Sequence, residues 1–198
     1  MIPLFHVRGV LAGAVLSAAM AGAHHAHAND AAWQKLAEGG KVVLMRHAAV
    51  NTGRGQGSAL LRDPSCKRER NLSSEGERAA REVGKQFQER RIPVSEVRHS
   101  PFCRTADTAR IAFAQGTPAA YLSLLEVLGP EEAAAQTRTL TDVIGGYAGK
   151  GNLVLITHEP NLNAVSFEMM KHSDFLVLQP KGGGEFEELG VVRWRAPD

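Results

Sequence analysis

Two runs in the chain, Lys41-Val-Val-Leu-Met-Arg46 and Asn152-Leu-Val-Leu-Ile-Thr157, are apolar without alternation, and each is followed at once by a histidine. A strand with one face in water alternates. An unbroken apolar run bounded by turn residues suits a strand covered on both faces, and that requires helices above and below a sheet. In open sheets of this kind the ligand crevice lies beyond the carboxyl ends of the parallel strands. His47 and His158 are therefore expected at one edge, facing the same crevice.

The remaining pattern agrees with that architecture. Residues 31–38 fit a short helix halted by Gly39-Gly40. Ser74-Glu-Gly-Glu77 has the form of a capping box opening a helix to about Arg91, with Ala79, Ala80, Val83 and Phe87 on one face. Val94–His99 reads as a strand and Phe102–Phe113 as a helix, with Ala106, Ala109, Ile111 and Phe113 able to pack. Tyr121–Leu125 is read as a further strand, Glu131–Ile144 as a helix and Leu162–Met170 as another. Phe175–Gln179 and Phe186–Trp194 read as strands around the Gly182-Gly-Gly184 turn. The alternation predicts an α/β protein: a three-layer αβα sandwich on a mostly parallel central sheet. Between His47 and Leu72 lies a long polar stretch without periodicity, a length of loop that is uncommon unless it covers a functional site.

Composition excludes several classes. With 22% charged and 43% hydrophobic residues, two cysteines and a formal charge of +2, the chain is neither disordered nor a disulfide mini-scaffold nor a multi-pass membrane protein. Its dispersed basic groups give no reason to expect a nucleic-acid partner. Arg8, the uncharged run Gly9–Gly22 and Ala26-His27-Ala28 have the three parts of a secretory signal cleaved after Ala28, with no membrane span left after cleavage. That divides the chain into a signal, 1–28, and one domain, 29–198, working in a periplasm or outside the cell. His24, His25 and His27 fall before the cut. In an oxidising compartment Cys66 and Cys103 are expected to pair. Such a bond would pin the long loop beside the helix that carries Arg104. Cys103 does not fit a cysteine-phosphatase loop: Phe102 precedes it, and the stretch to Arg110 holds no glycine.

The strand ending near Ser100 delivers Arg104 to the first turn of a helix, whose unsatisfied amides and dipole favour an anion. A lone histidine at a strand end is more often structural, and an arginine is usually solvated. Two of each, converging on one edge, fit a site for a phosphoryl group, since guanidinium matches phosphate oxygens bidentately and an imidazole is free to attack. Arg46-His47-Ala48, Ser100-Pro-Phe-Cys-Arg104-Thr-Ala-Asp-Thr-Ala109 and Thr157-His158-Glu-Pro-Asn161 resemble, in order, the motifs of the histidine phosphatase (phosphoglycerate mutase-like) superfamily. Asn71-Leu-Ser-Ser-Glu-Gly76 is similar to that family's L-[ST]-x-x-G segment.

The resemblance implies that His47 is the nucleophile that becomes phosphohistidine, with Arg46, Arg104 and His158 around the phosphoryl group and no cofactor or metal. A leaving alkoxide needs a proton. Glu126, in Leu125-Glu-Val-Leu-Gly129, resembles the acid of mutase-like members and is favoured. Glu159 stands where the phytase-like branch carries an acid, and a good leaving group would need neither. The loop cations Arg54, Arg62, Lys67, Arg68 and above all Arg70, next to Asn71, are candidates to meet an anionic substrate. Gly53-Arg-Gly-Gln-Gly57 lacks the context of a nucleotide loop. The expected activity is hydrolysis of a small phosphomonoester. A mutase, a phosphohistidine or phosphoprotein phosphatase, and an inactive protein that only binds a phosphorylated ligand are the alternatives. A metal-binding protein is disfavoured, because neither histidine has a carboxylate or cysteine at ligand spacing. Oligomeric state is not legible.

Overall fold

The structure, a computed structural model, describes residues 29–194; the expected export signal and its three histidines lie outside them. Helix α1 covers 29–37. It is followed by β1 (Val42–Arg46), α2 (Ser74–Glu89), β2 (Val94–His99), α3 (Cys103–Phe113), β3 (Thr117–Pro118), α4 (Pro130–Gly145), β4 (Asn152–Thr157), α5 (Glu159–Asn163), β5 (Phe175–Gly182) and β6 (Glu185–Val192). The strands form one sheet in the order β3-β2-β4-β1-β5-β6. Pairs β3-β2, β2-β4 and β4-β1 are parallel, and the hairpin β5-β6 adds antiparallel to β1. The two runs that fixed the fold class are thus central neighbours, with Arg46 beside Thr157.

Alternate residues of β1 feed different cores. Val43 and Met45 pack with Trp33 and Leu36 of α1, Val83 and Phe87 of α2, and Ala109 of α3. Val42 and Leu44 pack with Leu140 and Ile144 of α4 and Leu162 of α5. Helices therefore cover both faces, and the unbroken apolar run follows from burial on two sides.

Local readings differ from the sequence expectation in three places. The cap of α2 is Ser73, not Ser74: its hydroxyl accepts from Gly76 N–H at 3.0 Å. The third helical position is then Gly76, so no glutamate closes a capping box. Gly76 is needed for another reason, since a Cβ there would overlap the carbonyl oxygen of Ala49. Ser73 N–H donates to the same carbonyl (3.0 Å) and Leu72 packs on Ala48 and Ala80. The Leu72-Ser-Ser-Glu-Gly76 segment thereby seats α2 against the residues that follow His47.

Tyr121–Leu125 is not a strand. The sheet ends at the two residues of β3, where Pro118 has no N–H to extend the edge. The apolar run then turns through two short 3₁₀ segments, Ala120–Leu122 and Leu125–Val127, burying Leu122 and Leu124. A short apolar run fits either conformation, and tertiary packing decides. The helix read at Leu162–Met170 instead begins at Glu159, where Pro160 suits a first turn, and ends at Asn163. Beyond it the Met169 and Met170 carbonyls accept from Arg193 Nη1 and Arg46 Nη1, each at 2.7 Å, and Phe167 and Met169 stand exposed.

Cys66 and Cys103 are disulfide-bonded, with Cα atoms 5.8 Å apart, and tie the 47–73 loop to the start of α3. Buried Glu69 makes a second tie, accepting from Asp63 N–H and Cys103 N–H at 2.8 Å each. The bond closes a separation of 37 residues, which in the chain-entropy description stabilises the fold by about 3–4 kcal/mol. Replacing both cysteines by serine is expected to lower the urea midpoint accordingly. An unchanged midpoint would show that the Glu69 hydrogen bonds hold the segment without the disulfide.

Candidate active site

The three parallel strands β1, β4 and β2 end side by side, and the residues just past them form the floor of a cleft of about 280 Å³. Arg46 ends β1 and His47 follows it, His158 follows β4, and Ser100 follows β2. The loop contributes Ala59, Leu60 and Arg70, α3 contributes Arg104, and the 3₁₀ turn contributes Glu126. Positions far apart in sequence thus meet because the parallel strands all run the same way.

Arg104 occupies the centre. Its Nε donates to His47 Nε2 at 3.2 Å, and its Nη2 donates to His158 Nδ1 at 3.1 Å and to the Ala59 carbonyl at 3.0 Å. The two imidazole centroids are 5.4 Å apart. A guanidinium only donates, and this assigns both rings. His47 Nδ1 lies 2.8 Å from the Ala48 carbonyl, so it carries the hydrogen and leaves the Nε2 lone pair turned to Arg104 and the cleft. His158 accepts at Nδ1 and donates from Nε2 to Ser100 Oγ at 2.8 Å.

The motif residues between these groups hold them in place. Thr108 Oγ1 accepts from Ala48 N–H at 3.1 Å and so fixes the residue next to His47. Thr105 Oγ1 donates to the Ser100 carbonyl. Asn161 donates to the Ser123 carbonyl at 2.8 Å, and Thr157 Oγ1 donates to the Leu122 carbonyl at 2.8 Å, which together steady the turn bearing Glu126.

Electrostatics follow from this crowding. Burial first, then the Arg104 charge, hold the His47 imidazole well below its ordinary range, and the same two causes act on His158 in that order. Both rings are neutral at neutral pH, the form in which an imidazole nitrogen has a lone pair to give. Burial lowers Arg104 itself to about 10, so it stays charged. Three buried N–H groups around the cleft, Arg46 Nε, Arg70 Nε and Arg104 Nη1, have no partner among the described residues. Unpaired guanidinium donors converging on a hole suit an oxyanion. A guanidinium between two imidazoles also opposes a divalent cation there, and the described residues contain no His/Cys/Asp/Glu cluster fit for a metal.

The two candidate acids differ. Glu159 is ion-paired to Arg46 Nη2 at 2.7 Å, so its carboxylate is engaged with a guanidinium of the site. Glu126 is exposed at the cleft rim and has no ion pair among the described residues. Arg54 is exposed and does not line the cleft. Asn71 does not line it either: it donates to the Cys66 carbonyl at 2.8 Å and braces the loop. The amino end of α3 presents its first amide to Glu69 rather than to the cleft, while the Arg104 side chain brings its charge into the cleft. One titratable cleft residue escaped the sequence reading: His172, whose ring centroid is 5.3 Å from that of His47. It lies outside every motif, and no local signal marks it.

A separate cleft of about 340 Å³ lies beside Trp33, Phe175 and Trp194. It holds no imidazole, and none of the parallel strands β1, β2 and β4 ends in it. Among the described residues no helix is long and apolar enough to cross a membrane.

Residues 42–126 match the family described as the histidine phosphatase superfamily (branch 1). No curated protein matches the chain. Solved structures share the fold. The protein histidine phosphatase SixA, complexed with tungstate, superposes with a TM-score of 0.55 at 16% identity, covering 75% of this chain and 93% of that one. YhfR of Bacillus stearothermophilus gives 0.59 at 11%, covering 78% and 98%. A putative phosphohistidine phosphatase SixA from Agrobacterium tumefaciens gives 0.54 at 16%, covering 80% and 98%.

Proposed function

We propose, from the match of residues 42–126 to the histidine phosphatase superfamily and from the geometry of the cleft, that the chain is a member of that superfamily and hydrolyses phosphomonoesters through a covalent phosphohistidine at His47, without a metal. The observation that carries this reading is the tautomer of His47: Nδ1 is committed to the Ala48 carbonyl, so the lone pair is at Nε2. Nε2 accepts from Arg104 Nε in the free site and becomes available to phosphorus as that guanidinium turns to the substrate's oxygens, beside three guanidinium N–H groups with no protein partner among the described residues. The imidazole attacks phosphorus in line, and the P–N bond forms as the ester P–O bond breaks. Arg46, Arg104 and His158 surround the phosphoryl group, and the guanidinium N–H groups left without a protein partner meet its equatorial oxygens. Glu126 gives its proton to the departing alkoxide. Its carboxylate then takes a proton from the water that attacks phospho-His47, the P–N bond breaks, and orthophosphate leaves.

The export signal and the disulfide support a mature domain of residues 29–198 working in a periplasm. A small organic phosphate or an envelope-sugar phosphate is the substrate class that suits this compartment, with Arg70 reaching its anionic groups. The neighbour SixA, a protein histidine phosphatase complexed with tungstate, adds a phosphohistidine as the second substrate to try. Hydrolysis of an aryl phosphate should persist in EDTA, and acid quenching should trap acid-labile, alkali-stable phosphate on the protein. Turnover that a chelator abolishes, or a quench that yields no protein-bound phosphate, would reject the mechanism.

A further inference from the structure

We propose that His172 is a third imidazole of this site, touching the phosphoryl group held against His47 and donating a hydrogen bond to one of its oxygens. This inference rests on the phosphatase reading above. The ring lines the same cleft as His47, at a centroid distance of 5.3 Å, and neither of its nitrogens is engaged by protein among the described residues.

A specific buried turn puts it there. Ser173 has a φ of 68°, left-handed and costly for a residue with a side chain. Its N–H donates to the Arg46 carbonyl at 3.2 Å, clamping the turn to the end of β1 beside the nucleophile. Fully buried Asp174 locks the other side, accepting from Lys171 N–H and Trp194 N–H at 2.9 Å each. A strained residue and a buried carboxylate together fix the backbone under a side chain that itself has no protein partner.

The charged and titratable groups around the ring come from every wall. They are Arg46 and His47 at the end of β1, Arg70 from the loop, Arg104 from α3, Glu126 from the 3₁₀ turn, His158 and Glu159 at α5, and Lys171 and Asp174 of its own turn. Burial, then Arg46 and Arg104, bring the His172 imidazole down to about 4, so it is neutral in the free protein. A dianion set among these groups offsets the arginine charges and favours the imidazolium. The ring therefore takes up a proton as the cleft fills, and a further cation meets the phosphoryl oxygens only in the loaded site.

Sulfate, a tetrahedral dianion whose charge is constant across pH 5–8, tests this by calorimetry in two buffers of different ionisation enthalpy. Wild type should take up a proton on binding sulfate at pH 6.5. His172→Gln and His172→Asn should bind sulfate about tenfold more weakly, the cost of one charge-assisted hydrogen bond, with reduced proton uptake. In aryl phosphate hydrolysis, KM should rise about as much, with a smaller change in kcat and phosphate still trapped on His47. Two folded variants with wild-type sulfate affinity and proton stoichiometry would overturn the proposal. If wild type traps no covalent phosphate, the phosphatase reading fails, while the sulfate measurement still decides whether His172 contacts the oxyanion.

Discussion

His47→Ala is expected to lower kcat by at least about 10⁴-fold and to abolish acid-labile phosphate on the protein. The size follows from what the substitution removes. What it removes is the proposed nucleophile itself, while His158 stays held in place, its N–H donated to Ser100 Oγ and its lone pair accepting from Arg104. The anion hole of Arg46, Arg70 and Arg104 would survive, because the Ala48 backbone stays anchored by Thr108. The variant should therefore still bind orthophosphate while failing to turn over. Stopped-quench assays on wild type and variant at matched concentration provide the check. Retained turnover in His47→Ala would show either a different nucleophile or a contaminating hydrolase.

Arg104→Lys should be nearly as damaging, about 10²–10³-fold in kcat/KM. The charge is kept, but a point-like ammonium on a flexible stem cannot span His47 Nε2, His158 Nδ1 and the Ala59 carbonyl at once. Arg104→Ala adds a second effect with a definite sign. Arg104 is, after burial, the chief cause that holds His47 and His158 neutral. Without that cation the folded-state pKa of both rings rises, and protonated His47 cannot attack. The acid limb of kcat/KM should move to higher pH in Arg104→Ala and much less in Arg104→Lys. Identical pH profiles in the two variants would show that the guanidinium does not set the protonation of the imidazoles.

Much of the site was legible because its residues sit where strands stop. A buried parallel strand is easy to read, and the residue after it is committed to the crevice by the sheet itself. The histidines at 47 and 158, with Arg46 and Arg104, could be placed together from the strand pattern and the motifs. The acid was less legible. Leu125-Glu126 follows an apolar run that could have been strand or turn, and packing under α4 chose the turn. Asn71 belongs to a recognisable segment, but the segment seats α2 and braces the loop, so motif membership there reflects packing. Glu69 carried no signal at all, since a carboxylate in a polar loop becomes structural only through the Cys103 amide it meets in space.

Sequence alone determined the α/β class, the two central strands and the histidines at their ends, because hydrophobic burial on two faces leaves a mark in every residue of a strand. Only the tertiary structure decided the cap at Ser73, the end of α5 at Asn163, the tautomers of the two rings and the presence of His172 beside His47. These depend on contacts between residues dozens or more than a hundred positions apart. The free energy of such contacts comes from geometry that no local pattern records.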